Sequence, residues 1–402
     1  MNPLHLLIGL STITHIAATG TRFTATLAAL KLGASPFTVG LMMATFALLP
    51  MLLSVKAGRL ADRIGERWPM LISSVISICA ILLPLFWHGL PVLFATCLLV
   101  GGASNIIYMS TQPLVGRHGT PEDRPANFGL FAMGFSTSSF AGPVLAGFAI
   151  EYINFNATFL FLATLPVALL VVLSLDRLPL ARKRPKKAAM PAHDGASGEP
   201  QRRQNVFDLL RDVQMRKLYL IGILFSTAWD VFIVFAPIYA SGVGLSASQI
   251  GIVTGTFSIA TFSIRGLIGI LTRYFTPWQL LIMSLSTIAL CYLGFGLAAS
   301  FPVLVMFSFM LGIGHGLSAP MTNTLLYEAA PPDRIAEAVG LRMTASNTIQ
   351  TSLPLIAGSA GAALGIGPVF WATAVLMIYG SYLVRSQWHA GRGKRDARKP
   401  EQ

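Results

Sequence analysis

Apolar runs of roughly 20 residues, the length an α-helix needs to cross the hydrocarbon core of a bilayer, recur along the whole chain and are divided by Gly, Pro and short charged clusters. Twelve such runs fit, over residues 4–29, 36–57, 69–88, 91–115, 127–150, 156–175, 217–240, 248–271, 278–298, 302–327, 336–360 and 368–385. They fall into two sets of six. The pattern predicts an all-α membrane protein with an N-terminal bundle over 1–175, a linker over 176–216, a C-terminal bundle over 217–385 and a tail over 386–402. The first run begins near Leu4 with no basic segment or small-residue cleavage signal around it, so it is expected to be a retained span.

Composition agrees with that pattern. Of the 402 residues, 54% are hydrophobic and 11% charged, against about 25% charged in a soluble domain. The net charge of +13 sits at particular places. Residues 176–217 hold eleven Lys/Arg against five Asp/Glu, and residues 385–402 hold six against two. With a cytoplasmic N-terminus, Lys56, Arg59, Arg63, Arg67, Arg117, Arg124, Arg265, Arg273 and Arg334 also fall on the inner side, and Lys31 alone on the outer. The positive-inside rule therefore puts both termini in the cytoplasm. Basic charge so placed serves topology and attraction to anionic lipid heads, so the bilayer and not nucleic acid is the expected partner. The size suits a bacterial inner membrane, and a monomer is expected. The linker between Arg182 and Gln204 lacks the apolar content to fold alone. After it, Val206, Phe207, Leu210 and Val213 interleave with charged residues, as in a short interfacial helix. Cys79, Cys97 and Cys291 lie within apolar runs at spacings that suit packing rather than a metal.

One separation recurs throughout the chain. Gly58 and Leu60 return 211 residues later as Gly269 and Leu271, and Leu32-Gly33-Ala34-Ser35 with Gly40 as Val243-Gly244-Leu245-Ser246 with Gly251. Pro91-Val92-Leu93 returns as Pro302-Val303-Leu304, and Pro143-Val144-Leu145-Ala146-Gly147 as Pro354-Leu355-Ile356-Ala357-Gly358. Asp123-Arg124 returns as Asp333-Arg334 at 210. Register kept over so many unrelated features indicates duplication, hence two pseudo-symmetric six-helix bundles. Such repeats place a solute site at their interface near the midplane, where rocking gives alternating access.

After the second run the chain reads Gly58-Arg59-Leu60-Ala61-Asp62-Arg63-Ile64-Gly65-Glu66-Arg67. This resembles the signature loop of the major facilitator superfamily, G-x-L-a-D-r-x-G-r-k. The resemblance implies the major facilitator fold with twelve transmembrane helices. It also implies a conformational latch in which Asp62 meets span eleven in the outward-facing state, with Gly58, Arg63, Gly65 and Arg67 around it. Glu66 departs from the usual basic residue, and the second copy has Arg273 where Asp62 would be. Gly142-Pro143-Val144-Leu145-Ala146-Gly147, with Gly134 upstream, is similar to an element of the family's twelve-span drug/proton antiporters, with Ser138 where a glycine is typical. Gly142, Pro143, Gly147, Pro354 and Gly358 are expected to act in hinge motion and close helix packing. The antiporters' span-four arginine falls on Cys97.

Ionisable groups inside spans are functional candidates because lipid does not solvate them. Thr12, His15, Thr19, Arg22 and Thr26 share one face of span one, and Asp230 stands in span seven beside Trp229, one turn after Ser226. Asp230 is either a proton-coupling carboxyl or the buried partner of Arg22; His15 and His315 are further coupling candidates. Asn105, Tyr108, Gln112, Asn323, Arg342, Ser346 and Gln350 complete the expected substrate-binding set with Arg22, Trp229 and Asp230. Guanidinium groups suit anion recognition, while Trp229, Phe23 and Phe257 would tolerate an amphipathic body. The expected function is secondary active transport of a small organic solute, as proton-coupled efflux of an amphipathic or anionic compound; the alternative is proton-coupled uptake of an organic acid. No nucleotide loop, metal-ligand spacing or nucleophile motif appears, so neither an enzyme nor a cofactor is expected.

Overall fold

A computed structural model describes residues 3–118, 124–175, 211–331 and 335–396, and these form twelve helices with no strand among them. They are α1 Pro3–Lys31, α2 Pro36–Ile64, α3 Arg67–Phe86, α4 Leu90–Arg117, α5 Arg124–Tyr152, α6 Phe155–Ser174, α7 Val213–Gly242, α8 Ala247–Tyr274, α9 Pro277–Phe295, α10 Phe301–Ala329, α11 Ile335–Leu364 and α12 Ile366–Asp396. Nine are long and apolar enough on their own to cross a membrane. The other three are α1, α2 and α11, of 29, 29 and 30 residues. Polar stripes lower the apolarity of α1 and α11, and the described apolar stretch of α2 is the short Pro36–Pro50. Large apolar side chains such as Leu160, Leu290 and Val375 are exposed on outward helix faces, where a bilayer accepts them and water would not.

Helix ends follow local chemistry. Gly33 and Gly244, which occupy equivalent positions in the repeat, both take positive φ (78° and 85°) where α1 and α7 stop. Asp212 caps α7, its side chain accepting the Met215 N–H at 2.8 Å. Ser246 and Thr276 open α8 and α9 with capping boxes. The segment read from sequence as a loop after span two is helical through Ile64, and the turn comes at Gly65 (φ 85°). α12 continues past the expected end of its span to Asp396. The linker from 176 to 210, with most of the expected interfacial helix, lies outside the described residues. Cys97 and Cys291 are buried as packing residues would be, whereas Cys79 lies exposed on α3.

Within the first half α1 packs on α4, α5 and α6, and within the second α7 packs on α10, α11 and α12. The halves meet chiefly through α2 with α11 and α5 with α8, and these two contacts are copies of one another. A Cβ at Gly40 would strike the Pro354 carbonyl, and a Cβ at Gly251 would lie 2.6 Å from the Pro143 carbonyl oxygen. Gly358 rests on Pro36 and Phe37, and Gly147 on Ala247 and Ser248. Shifting each residue by the repeat separation turns one set of contacts into the other, which is what a twofold axis between the halves requires. Both sets lie at the end of the bundle away from the termini, here called the distal end. At the opposite, terminal end of α8, Gly266 and Gly269 have nothing within 4 Å. The halves are thus closed distally, while α8 is free of such contacts at these two terminal-end positions.

One charged bond is added to this closure. The Glu151 Oε2 accepts the Ser248 N–H at 2.9 Å, a carboxylate set on the N-terminus of α8, where its dipole favours negative charge. The residue 211 positions on is Ala362, so the second contact has no such bond. Glu151→Gln, which keeps an acceptor but removes the charge, should raise the population of molecules open at the distal end by a few-fold, a small effect because the group is exposed to solvent. Spin labels on Ser35→Cys and Ala363→Cys would report it as a longer-distance fraction.

Candidate functional site

Between the halves lie three adjoining lobes of about 210, 280 and 380 Å3 that share lining residues. The first belongs to the N-terminal half and holds His15, Arg22, Asn105 and Tyr108, with Gln350 reaching across from α11. The second belongs to the C-terminal half and holds Ser226, Trp229, Asp230, His315, Arg342, Ser346 and Gln350. The third runs toward the terminal end between α4, α5 and α8, with Gln112, Phe128, Phe131, Phe135, Trp229 and Arg265 on its walls. Gln350 is common to the first two lobes, Tyr108 and Phe135 to the first and third, and Trp229 and Arg265 to the second and third. Of the substrate-binding residues expected from sequence, these lobes gather all but Asn323, which stands outside them with its Oδ1 buried.

The charged groups are arranged individually rather than as ion pairs. Arg22 donates through Nε to the Met43 sulfur at 3.3 Å and lies 5.4 Å from the centre of the Phe46 ring. Asp230, 4% exposed, feels the Arg22 charge and lies beside the Gln350 side chain. No carboxylate among the described residues lies within 4.0 Å of the Arg22, Arg265 or Arg342 guanidinium.

Sequence reasoning missed Arg265. Counting it among inner-side basic residues absorbed it into topology, although Ser258, Thr261 and Arg265 are spaced as one polar helix face. All three line the third lobe.

The two histidines differ. His15 Nδ1 is 2.5 Å from the Ser138 hydroxyl, and Thr19 donates to the Ser138 carbonyl at 2.9 Å. Gly134 packs against Thr12 and Gly142 against Thr19 and Gly20. One face of α5 therefore carries Gly134, Ser138 and Gly142 against α1, and other faces of it carry Pro143 and Gly147 against α8. Ser138 fills the place of the typical glycine while satisfying His15. His315 is 1% exposed; its Nδ1 lies 2.9 Å from the Leu311 carbonyl, and its Nε2 is buried with no hydrogen-bond partner among the described residues.

Of the latch residues, Gly58, Asp62 and Arg63 lie in the last two turns of α2, and their side chains are outside the described residues. Gly65 forms the turn. Arg67 donates through Nη2 to the carbonyls of Leu173 at 2.8 Å and Ser174 at 3.4 Å, closing the C-terminus of α6.

A twofold-related pair of six-helix halves around a polar central cavity defines a membrane transporter of the alternating-access class. The chain belongs to the Major Facilitator Superfamily, whose family profile matches residues 7–297 and 218–396. Among curated proteins it is 26% identical to human solute carrier family 67 member A1 over 358 residues, 85% of this chain and 81% of that protein. It is likewise 26% identical to mouse solute carrier family 22 member 18 over 355 residues, 84% of each chain. Among solved structures, the peptide transporter POT in complex with sulfate superposes with a TM-score of 0.76 at 16% identity, covering 97% of this chain and 95% of that one. A bacterial homologue of the human lysosomal transporter Spinster, inward-facing and unoccupied, gives 0.73 at 14% identity and 95% coverage of each. The nucleoside transporter NupG gives 0.72 at 14% identity, covering 96% and 99%. The protein is a secondary transporter and not an enzyme.

Proposed function

We propose that this transporter exports a small amphipathic organic anion in exchange for protons, with Asp230 as the coupling carboxyl and Arg22 as its electrostatic partner. The observation that carries the reading is the charge inventory of the cavity: among the described residues Arg22, Arg265 and Arg342 line it against the one carboxylate Asp230. Guanidinium groups without carboxylate partners in a space of low dielectric are costly unless an anion visits them. The aromatic wall of Phe128, Phe131, Phe135 and Trp229 supports an apolar body on the same solute. With both termini cytoplasmic, as the basic linker and tail favour, the described conformation is the inward-facing one and would load a solute from the cytoplasm.

Asp230 and an anion compete for Arg22. A neutral Asp230 leaves Arg22 free to attract the anion, and an ionised Asp230 offsets that attraction, so this pair alone binds proton and anion together. It favours their movement in one direction, the sense of the second reading, whereas exchange needs the proton to displace the solute. Uptake of an organic acid is the second reading, favoured by Cys97 standing where exporters of the family carry their arginine.

Reconstitution into vesicles of known orientation, with an imposed pH gradient and a panel of aryl carboxylates and lipophilic cations, tests both. Carboxylate movement against an inward proton flow supports export, and movement with it supports uptake. Transport of the cations with no carboxylate flux would overturn the anion reading.

A further inference from the structure

His315 and its surroundings specify more about the solute than its charge. Its Nδ1 lies 2.9 Å from the Leu311 carbonyl in the same helix, and a carbonyl only accepts, so the proton is on Nδ1 and Nε2 presents a bare lone pair. That Nε2 is buried and has no hydrogen-bond partner among the described residues. Leaving a buried polar atom unpaired is costly, and polar atoms in native interiors are nearly always paired. His315 is held edge-on by Trp229 and Phe257, with ring centroids 5.8 and 5.3 Å away, so it is not turned elsewhere for a partner. It lines the same lobe as Arg265 and Arg342, and the Arg342 Nε is likewise buried without a partner. One lobe therefore offers two cations, the Asp230 carboxyl, a spare donor and a spare acceptor, and it adjoins an aromatic chamber.

We infer that the solute carries a hydrogen-bond donor next to its anionic head. The carboxylate or phosphate binds Arg265 and Arg342, an adjacent hydroxyl donates to His315 Nε2, and the apolar body lies against Trp229, Phe131 and Phe135. This rests on the anion reading above and narrows it to hydroxylated aryl or acyl acids. A solute without the hydroxyl leaves the imidazole acceptor dry and unpaired, which is how a site built for a donor rejects its deoxy analogue.

The test uses two acids that differ by one hydroxyl, 3-phenyllactate and 3-phenylpropionate, titrated calorimetrically into the full-length protein in lipid nanodiscs. The wild type should bind phenyllactate about tenfold more tightly, the factor expected for one buried hydrogen bond. His315→Leu should erase that preference, while His315→Gln, which keeps an acceptor, should retain part of it. Arg265→Gln should weaken both acids by about the same factor, since it removes charge and not the hydroxyl's partner. Equal wild-type affinities for the two acids would overturn the donor inference while leaving the anion reading intact. Binding of neither acid, with tetraphenylphosphonium bound instead, would overturn both. Because the wild-type comparison decides the matter alone, poor folding of a variant does not rescue the inference.

Discussion

Leucine at Gly251 should reduce transport by more than a hundredfold without preventing folding or insertion. A Cβ there would lie 2.6 Å from the Pro143 carbonyl oxygen and 3.2 Å from the Val144 Cα, both backbone atoms of the opposing half that cannot rotate aside. The contact is made between the halves and not within one, so each bundle can still assemble around its own core. What is lost is closure of the distal end, without which the cavity never becomes exclusive to the terminal side. Gly40→Leu should act alike, because its added atoms meet the Pro354 carbonyl in the related contact. Leucine at Gly9, which has nothing within 4 Å, should leave flux near wild type. Vesicle flux beside size-exclusion profiles checks all three, and wild-type flux in Gly251→Leu would show that the distal contact is not part of the cycle.

Asp230→Asn should lower flux driven by a pH gradient more than tenfold while preserving exchange of labelled for unlabelled solute across vesicles at equal pH. The side chain is 4% exposed and lines the second lobe, and Asn fills nearly the same volume while keeping hydrogen-bond capacity toward Gln350. The change removes the titrating group with little packing cost. If Asp230 served only as a fixed counter-charge to Arg22, the variant would instead lose both activities together, because an uncompensated buried guanidinium disrupts the site in every mode. Unchanged pH-driven flux would remove Asp230 from coupling altogether.

The duplication was legible in the sequence because loops and helix breakers repeat as residue types at a fixed interval. Gly33 and Gly244 share positive φ, and the two prolines recur in α5 and α11. What the repeat did not reveal is that Gly40 meets Pro354 while Gly251 meets Pro143, since a contact between halves has no signature along either chain segment. The cavity stripe on α1 and the span-seven carboxylate were readable because polar groups inside apolar runs stand out. Arg265 was hidden for the opposite reason: basic residues near span ends have a topological explanation ready, and its position is revealed only by the course of α8 past it. The extent of α2 through Ile64 was also missed, because charges mark the edge of the membrane and not the end of a helix.

Two label pairs in a background lacking Cys79, Cys97 and Cys291 test the rocking of the halves most directly. One pair, Ser35→Cys with Ala363→Cys, spans the distal end, and the other, Gly129→Cys with Ile270→Cys, spans the terminal end. Pulsed dipolar distances should show the wild type short distally and long terminally, and Gly251→Leu should reverse both distributions together. A terminal pair that stays put, or lengthens, while the distal pair opens would contradict the account.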